Sequence, residues 1–122
     1  MNETPTGPDK DKALDDQTTA IRNLNDALRQ TFEGGQVLMT PGVTGLASQT
    51  LAKVLVAIRD FDDFTEDNDP YGTHEFGSVQ IAGETVFFKV DAYDENMEYG
   101  SPNPADPEVT RRVMTILLAS EY

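Results

Sequence analysis

The sequence predicts an α+β domain of order α-β-α-β-β-α, a short antiparallel sheet packed by three helices. Three observations carry this. Ile21, Leu24, Leu28 and Phe32 recur at spacings of three and four, the repeat of one helix face. Val86, Phe88, Val90 and Ala92 alternate with Phe87, Lys89, Asp91 and Tyr93, the two-residue period of a sheet with unlike faces. Ala82-Gly83 separates two such runs at the length of a tight hairpin turn. With 122 residues, 38% hydrophobic and ten of them aromatic, the chain is sized for one domain with one core.

Each element follows in order. Residues 1–12 are polar, contain Pro5, Gly7 and Pro8 and lack an apolar anchor, so they read as a disordered tail before a single domain over 13–122. A helix follows from Leu14 to Phe32, with Arg22, Asp26 and Arg29 off its apolar stripe, and Gly34-Gly35 stops it. Gln36–Thr40 is a short strand closed by Pro41-Gly42. Ser48 is placed to cap a second helix whose buried stripe is Leu51, Val54, Leu55, Ile58 and Phe61. After an acidic loop from Asp62 to Thr73 come the hairpin strands His74–Ile81 and Glu84–Tyr93. A two-residue turn sets Val79 opposite Val86, both on the core side. A second Pro/Gly-rich loop, Gly100–Ala105, leads to Asp106-Pro107-Glu108, which has the residues of a helix N-cap and first turn. Val109, Val113, Ile116 and Leu117 are then the inward face of a C-terminal helix.

Charge is concentrated. Between Asp60 and Glu108 lie fourteen Asp and Glu against one basic residue, Lys89, so this window carries essentially all of the net −13. Such a field repels nucleic acid and membrane surfaces and attracts basic partners. With no cysteine there are no disulfides, thiolate metal sites or cysteine nucleophiles. No apolar run has the length of a membrane span and the N-terminus has no hydrophobic signal core. The expected setting is the cytoplasm.

The block F-D-D-F-T-E-D-N-D-P-Y-G-T-H-E-F-G (61–77), the strand V-F-F-K-V-D-A-Y-D (86–94) and the ending D-P-E-V-T-R-R-V-M-T-I-L-L-A-S-E-Y (106–122) resemble a family of small proteobacterial proteins known only as a domain of unknown function. The resemblance runs from about Ile21 to Tyr122. Its members are frequent on plasmids and other mobile elements. That context implies anti-defence, addiction or transfer functions; it assigns no catalytic or binding residue.

Reading the acidic loop from Asp67 gives an EF-hand match at positions one, three and six. It fails at position five, where Tyr71 stands, and at twelve, where Ser78 replaces the bidentate glutamate. A solvated acidic turn fits better, with Asn68 or Asp69 bonding local backbone before Pro70. His74 is the only histidine, and no serine stands in a nucleophile-elbow motif. One histidine without a nucleophile makes a structural ring, pinning the acidic loop to the strand. No glycine pattern cradles a phosphate.

The acids are paired with aromatics in two stretches. Asp63, Phe64, Glu66, Asp67, Asp69 and Tyr71 form one, and Asp94, Glu95, Glu98 and Tyr99 form the other. An aromatic anchor inside a polar rim is the anatomy of a protein interface. Because each stretch follows an element running toward the same end of the sheet, the two are expected on one side of the domain. The sequence reads as a binding module without catalysis, cofactor or resident metal. Its expected partner is a protein with a basic surface, of the kind that handles nucleic acid, with no direct nucleic-acid or membrane contact. Duplex DNA carries one charge per roughly 1.7 Å, so thirteen charges correspond to about 22 Å of duplex, close to the width of one small domain. Two alternatives are a metal-assisted hydrolase or nuclease using Asp67, Asp69, His74 and Glu75, and a subunit docking a second copy through Phe87, Lys89 and Tyr93.

Overall fold

Ala82 and Gly83 both adopt left-handed backbone, with φ of 53° and 83°, as a two-residue hairpin turn of right-handed twist requires. In this computed structural model, which describes residues 8–122, the turn joins β2 (Phe76–Ile81) to β3 (Glu84–Tyr93) and sets Val79 opposite Val86. Both valines are buried, so register and facing agree with the sequence. The remaining elements are α1 (Pro8–Thr31), β1 (Gln36–Met39), α2 (Pro41–Thr44), α3 (Ser48–Arg59), β4 (Arg111–Leu118) and a closing 3-10 turn, Ala119–Glu121. Residues 1–7 of the expected tail lie outside the described residues, and α1 takes in the rest of it.

The α+β class holds, with three helices and one four-stranded sheet ordered β1-β4-β3-β2. The last element differs from expectation. Residues 111–118 form a central strand, antiparallel to β3 and parallel to β1, so the sheet is mixed. Lying between two strands and covered on both faces, β4 needs a near-continuous apolar run, and V-M-T-I-L-L supplies it. A run this short carries no periodicity that separates helix from strand. The helix-like cap before it closes a turn instead: Asp106 Oδ1 accepts the Glu108 N–H at 2.9 Å. The third helix is α2, a single turn at Pro41-Gly42 that the sequence reading treats as the end of a strand.

The core lies between one sheet face and helices α1 and α3. Leu28, Val54, Ile58, Val86, Phe88, Met114 and Ile116 are fully buried there. Each contributes about 1.5–3 kcal/mol relative to exposure. Gly77 is required by this packing, because a Cβ there would lie 2.3 Å from the Phe88 ring. Phe32, expected on the α1 stripe, instead ends the helix with a left-handed backbone (φ 62°). The buried face of α1 has a different content: Asn25 and Arg29 sit beside Leu28, almost without exposure.

Candidate binding surface

Arg22, Asn25, Asp26 and Arg29 are spaced three, four and seven apart, so they share one side of α1. Buried Arg29 lies under the start of the first acidic loop. Its Nη1 donates to the carbonyls of Ile58, Arg59 and Phe61 at 3.0, 3.1 and 2.9 Å. These are the last carbonyls of α3 and the residues just after it, which no further helical turn satisfies. A guanidinium there both caps the helix and complements its dipole. Nη2 donates to Asp26 Oδ1 at 2.9 Å, and the guanidinium carbon lies 5.4 Å from the centre of the Phe64 ring.

Asp26 holds a second partner. His74 Nδ1 lies 2.9 Å from its Oδ1, and the imidazole stacks on Phe64 with ring centres 3.7 Å apart and planes 5° from parallel. His74 has a left-handed backbone (φ 58°), a conformation uncommon outside glycine though less so for histidine than for most residues, and its contacts hold it there. Asp69 completes the clamp: its carboxylate accepts the His74 N–H at 3.2 Å and is itself only 7% exposed. The sequence reading has the His74 ring hydrogen-bonding the acidic loop. Instead the ring nitrogen bonds Asp26 on α1, and the loop is held by the His74 backbone N–H and the stack on Phe64. Asn68 locks the loop tip by accepting the Thr65 N–H and donating to the Asp63 carbonyl.

The second acidic stretch is held differently. Asp94 accepts the N–H groups of Asn96 and Glu98, while its own N–H donates to the Tyr99 carbonyl. The turn is therefore closed by its own residues. Beyond it, buried Arg112 donates Nη2 to the Pro104 carbonyl and Nε to Asn25 Oδ1. Burial pushes this guanidinium below its ordinary value. Asn25 spans both regions, since its Nδ2 donates to the Thr73 carbonyl at 2.9 Å.

The ladder fixes where the two stretches lie. Phe76, the first residue of β2, pairs with Lys89, and Tyr93, the last of β3, pairs with Arg111. Antiparallel strands therefore bring the loop entering β2 and the loop leaving β3 to the same end of the sheet. An isolated bridge from Tyr93 to Gly100 lays the second stretch alongside, just past the start of β2. In the two stretches Tyr71 is 77% and Tyr99 74% exposed, and Asp63, Glu66, Asp67, Glu95 and Glu98 face solvent. Glu95 has a distant cation, Arg111 Nη2 at 3.7 Å. Phe64 and Asp69 are turned inward, where their contacts hold the loop together. Asp94 is half-buried as a cap.

Asp67 and Glu75 are exposed and take no part in the His74–Asp69 contact. Among the described residues, no three His, Asp or Glu side chains converge as ligands for a metal ion. No helix there is long and apolar enough to cross a membrane. Sequence reasoning missed Asn25, Asp26, Arg29 and Arg112 as organisers of the surface. The signal for the first three was their common spacing on α1, a polar stripe beside the apolar one.

A family model matches residues 39–121, which include the acidic loop, the hairpin and β4. The chain belongs to that family, described as protein of unknown function (DUF3768). No curated protein and no solved structure matches the chain. The family's matched segment begins after α1, so the organising residues Asn25, Asp26 and Arg29 lie outside it.

Proposed function

We propose that this protein is a small acidic binding module that engages a basic surface on a protein partner and blocks it. The blocked partner is a protein that handles nucleic acid, and the acidic end stands in for the phosphate backbone, as an anti-defence inhibitor from a mobile element would. The observation that supports this is that two acidic stretches join the sheet at the same end, each with a tyrosine three-quarters exposed. A solubility device needs charge alone. Presenting two large aromatic rings among carboxylates costs apolar exposure, and desolvated tyrosines at a partner surface recover it.

The division of labour follows from physics. Carboxylates steer encounter over a Debye length of about 8–10 Å, so they govern how fast the complex forms. Tyr71 and Tyr99 act after contact, so they govern how long it lasts. Affinity capture from the native host, with the bound proteins identified by mass spectrometry, provides the partner. Capture is then repeated with Asp63, Glu66, Asp67, Glu95 and Glu98 changed to their amides, and separately with Tyr71→Ala and Tyr99→Ala. A partner of basic surface that the neutralised protein fails to retain supports the reading. Equal retention by all variants contradicts it.

A further inference from the structure

Strand β2 ends the sheet, and the hydrogen-bond ladder says which of its groups face outward. Val90 N–H donates to the Glu75 carbonyl at 2.8 Å, so these two residues form a hydrogen-bonded antiparallel pair. Such pairs alternate along a ladder, which makes Gly77–Phe88, Val79–Val86 and Ile81–Glu84 the hydrogen-bonded pairs that follow. The N–H and C=O groups of Phe76, Ser78 and Gln80 therefore point away from β3. Among the described residues no backbone group meets them.

Natural edge strands are guarded by shortness, proline, lysine or a covering element. The opposite edge, β1, has four residues and runs into Pro41. Strand β2 has six, F-G-S-V-Q-I, with neither proline nor charge. The sheet face turned away from the core has apolar content beside this edge: Phe76 packs at 5.0 Å on Phe87 and at 6.3 Å on Tyr122, which is 76% exposed. At the entry to this edge stand exposed Glu75 and the first acidic loop.

We propose that the outer edge of β2 receives an extended, lysine- or arginine-bearing segment of the partner as a fifth strand. This rests on the acidic-module reading and names the form in which the basic partner arrives. Charge decides the occupant. A second copy of this chain carries the same net charge of −13 and is repelled as a whole, whereas a basic segment is complementary to the acidic loop. Free backbone groups supply affinity, Phe76 and Tyr122 receive apolar side chains between the cations, and the acidic loop recognises the charge.

The probe is a synthetic peptide of about ten residues alternating lysine with valine, enough for one strand. A comparator of equal charge has its central valines replaced by proline, which removes donors from the ladder. Amide exchange by NMR reads the protein side. The expected result is slowing of about tenfold or more at Phe76, Ser78 and Gln80 with the first peptide, and at least about tenfold weaker binding of the second. Equal binding of both peptides without protection of these amides overturns the edge proposal and leaves the acidic module standing. Binding of neither at low salt overturns both. A dimer in sedimentation that protects the same amides without peptide overturns the edge proposal in favour of self-pairing. Ser78→Pro, checked for folding by circular dichroism, must lose the alternating peptide while keeping any charge-driven binding of the comparator.

Discussion

The two acidic stretches each carry exposed carboxylates and an exposed tyrosine, and they are built in opposite ways. The first, between α3 and β2, is tied to distant residues: Arg29 reaches the carbonyls of Ile58, Arg59 and Phe61, and Asp26 reaches His74 across 48 residues of chain. The second closes on itself through Asp94, whose carboxylate meets N–H groups two and four residues on. The first is a buried polar network covered with charge, and the second is a surface turn. Buried networks are costly to break because the abandoned partners stay desolvated, whereas water replaces a lost surface cap.

The largest effect is expected at Arg29. Arg29→Ala leaves three carbonyls and the Asp26 carboxylate without their cation, and should cost about 3–5 kcal/mol in urea unfolding. That is a large share of a small domain's stability. A loss no greater than a surface substitution would break the contrast between the two stretches.

His74 comes next. His74→Gly relieves the left-handed backbone but removes the Phe64 stack and the Asp26 bond, for a net loss of about 1–2 kcal/mol. His74→Ala loses the same contacts and keeps the strain, so it should unfold at lower urea than His74→Gly. The reverse order would mean that the backbone is not strained.

For the second stretch, Asp94→Ala should cost about 1 kcal/mol, as loss of a half-buried cap whose N–H partners can turn to water does. Faster amide exchange should be confined to Asn96, Glu98 and their neighbours. Exchange that also quickens around Phe64 would show that the stretches are coupled, and that Asn25 carries more than its bonds to Thr73 and Arg112 suggest.

Glu121 separates distance in sequence from burial. Its carboxylate accepts the Thr40 hydroxyl and the N–H groups of Leu118 and Gly42, linking the chain end to the start of α2 from an exposed position. The Thr40 bond is the main reason its pKa lies below the ordinary 4.5. A depressed folded value means stability that is present above the unfolded pKa and lost as pH falls through the folded one. Glu121→Gln should therefore lower the Tm slightly at neutral pH, and the difference should close as the pH is taken below 4.5. A gap that persists in acid would assign the effect to shape and not to charge.

What the sequence revealed divides along the same line. The hairpin's turn and register were legible because alternation and a two-residue turn are local signals, as was the stripe of α3. But β2 begins at Phe76 and not at His74, whose left-handed backbone stands outside the strand, and of the α1 stripe only Leu28 is fully buried. The C-terminal strand was not: V-M-T-I-L-L becomes a strand because β1 and β3 flank it, and nothing in those residues records the neighbours. Among the site residues, Tyr71 and Tyr99 stand exposed in acidic surroundings, a point the sequence leaves open between core plug and surface anchor for Tyr71. Phe64 and Asp69 turn inward because Arg29, Asp26 and His74 draw them there. Arg29 has the spacing of a buried residue and the charge of a surface one, and only the α3 carbonyls it meets explain which property prevails.

The central claim is that the acidic end of the sheet recognises a basic partner. Its most direct test is the association rate with the captured partner across a range of NaCl, for the native protein and for the variant with Asp63, Glu66, Asp67, Glu95 and Glu98 changed to amides. Steered association should be fast at low salt and fall steeply with ionic strength, and the neutralised variant should start slower with a flattened dependence. Association at low salt that is unchanged by neutralisation would contradict the claim and leave the acidic surface as a means of staying in solution.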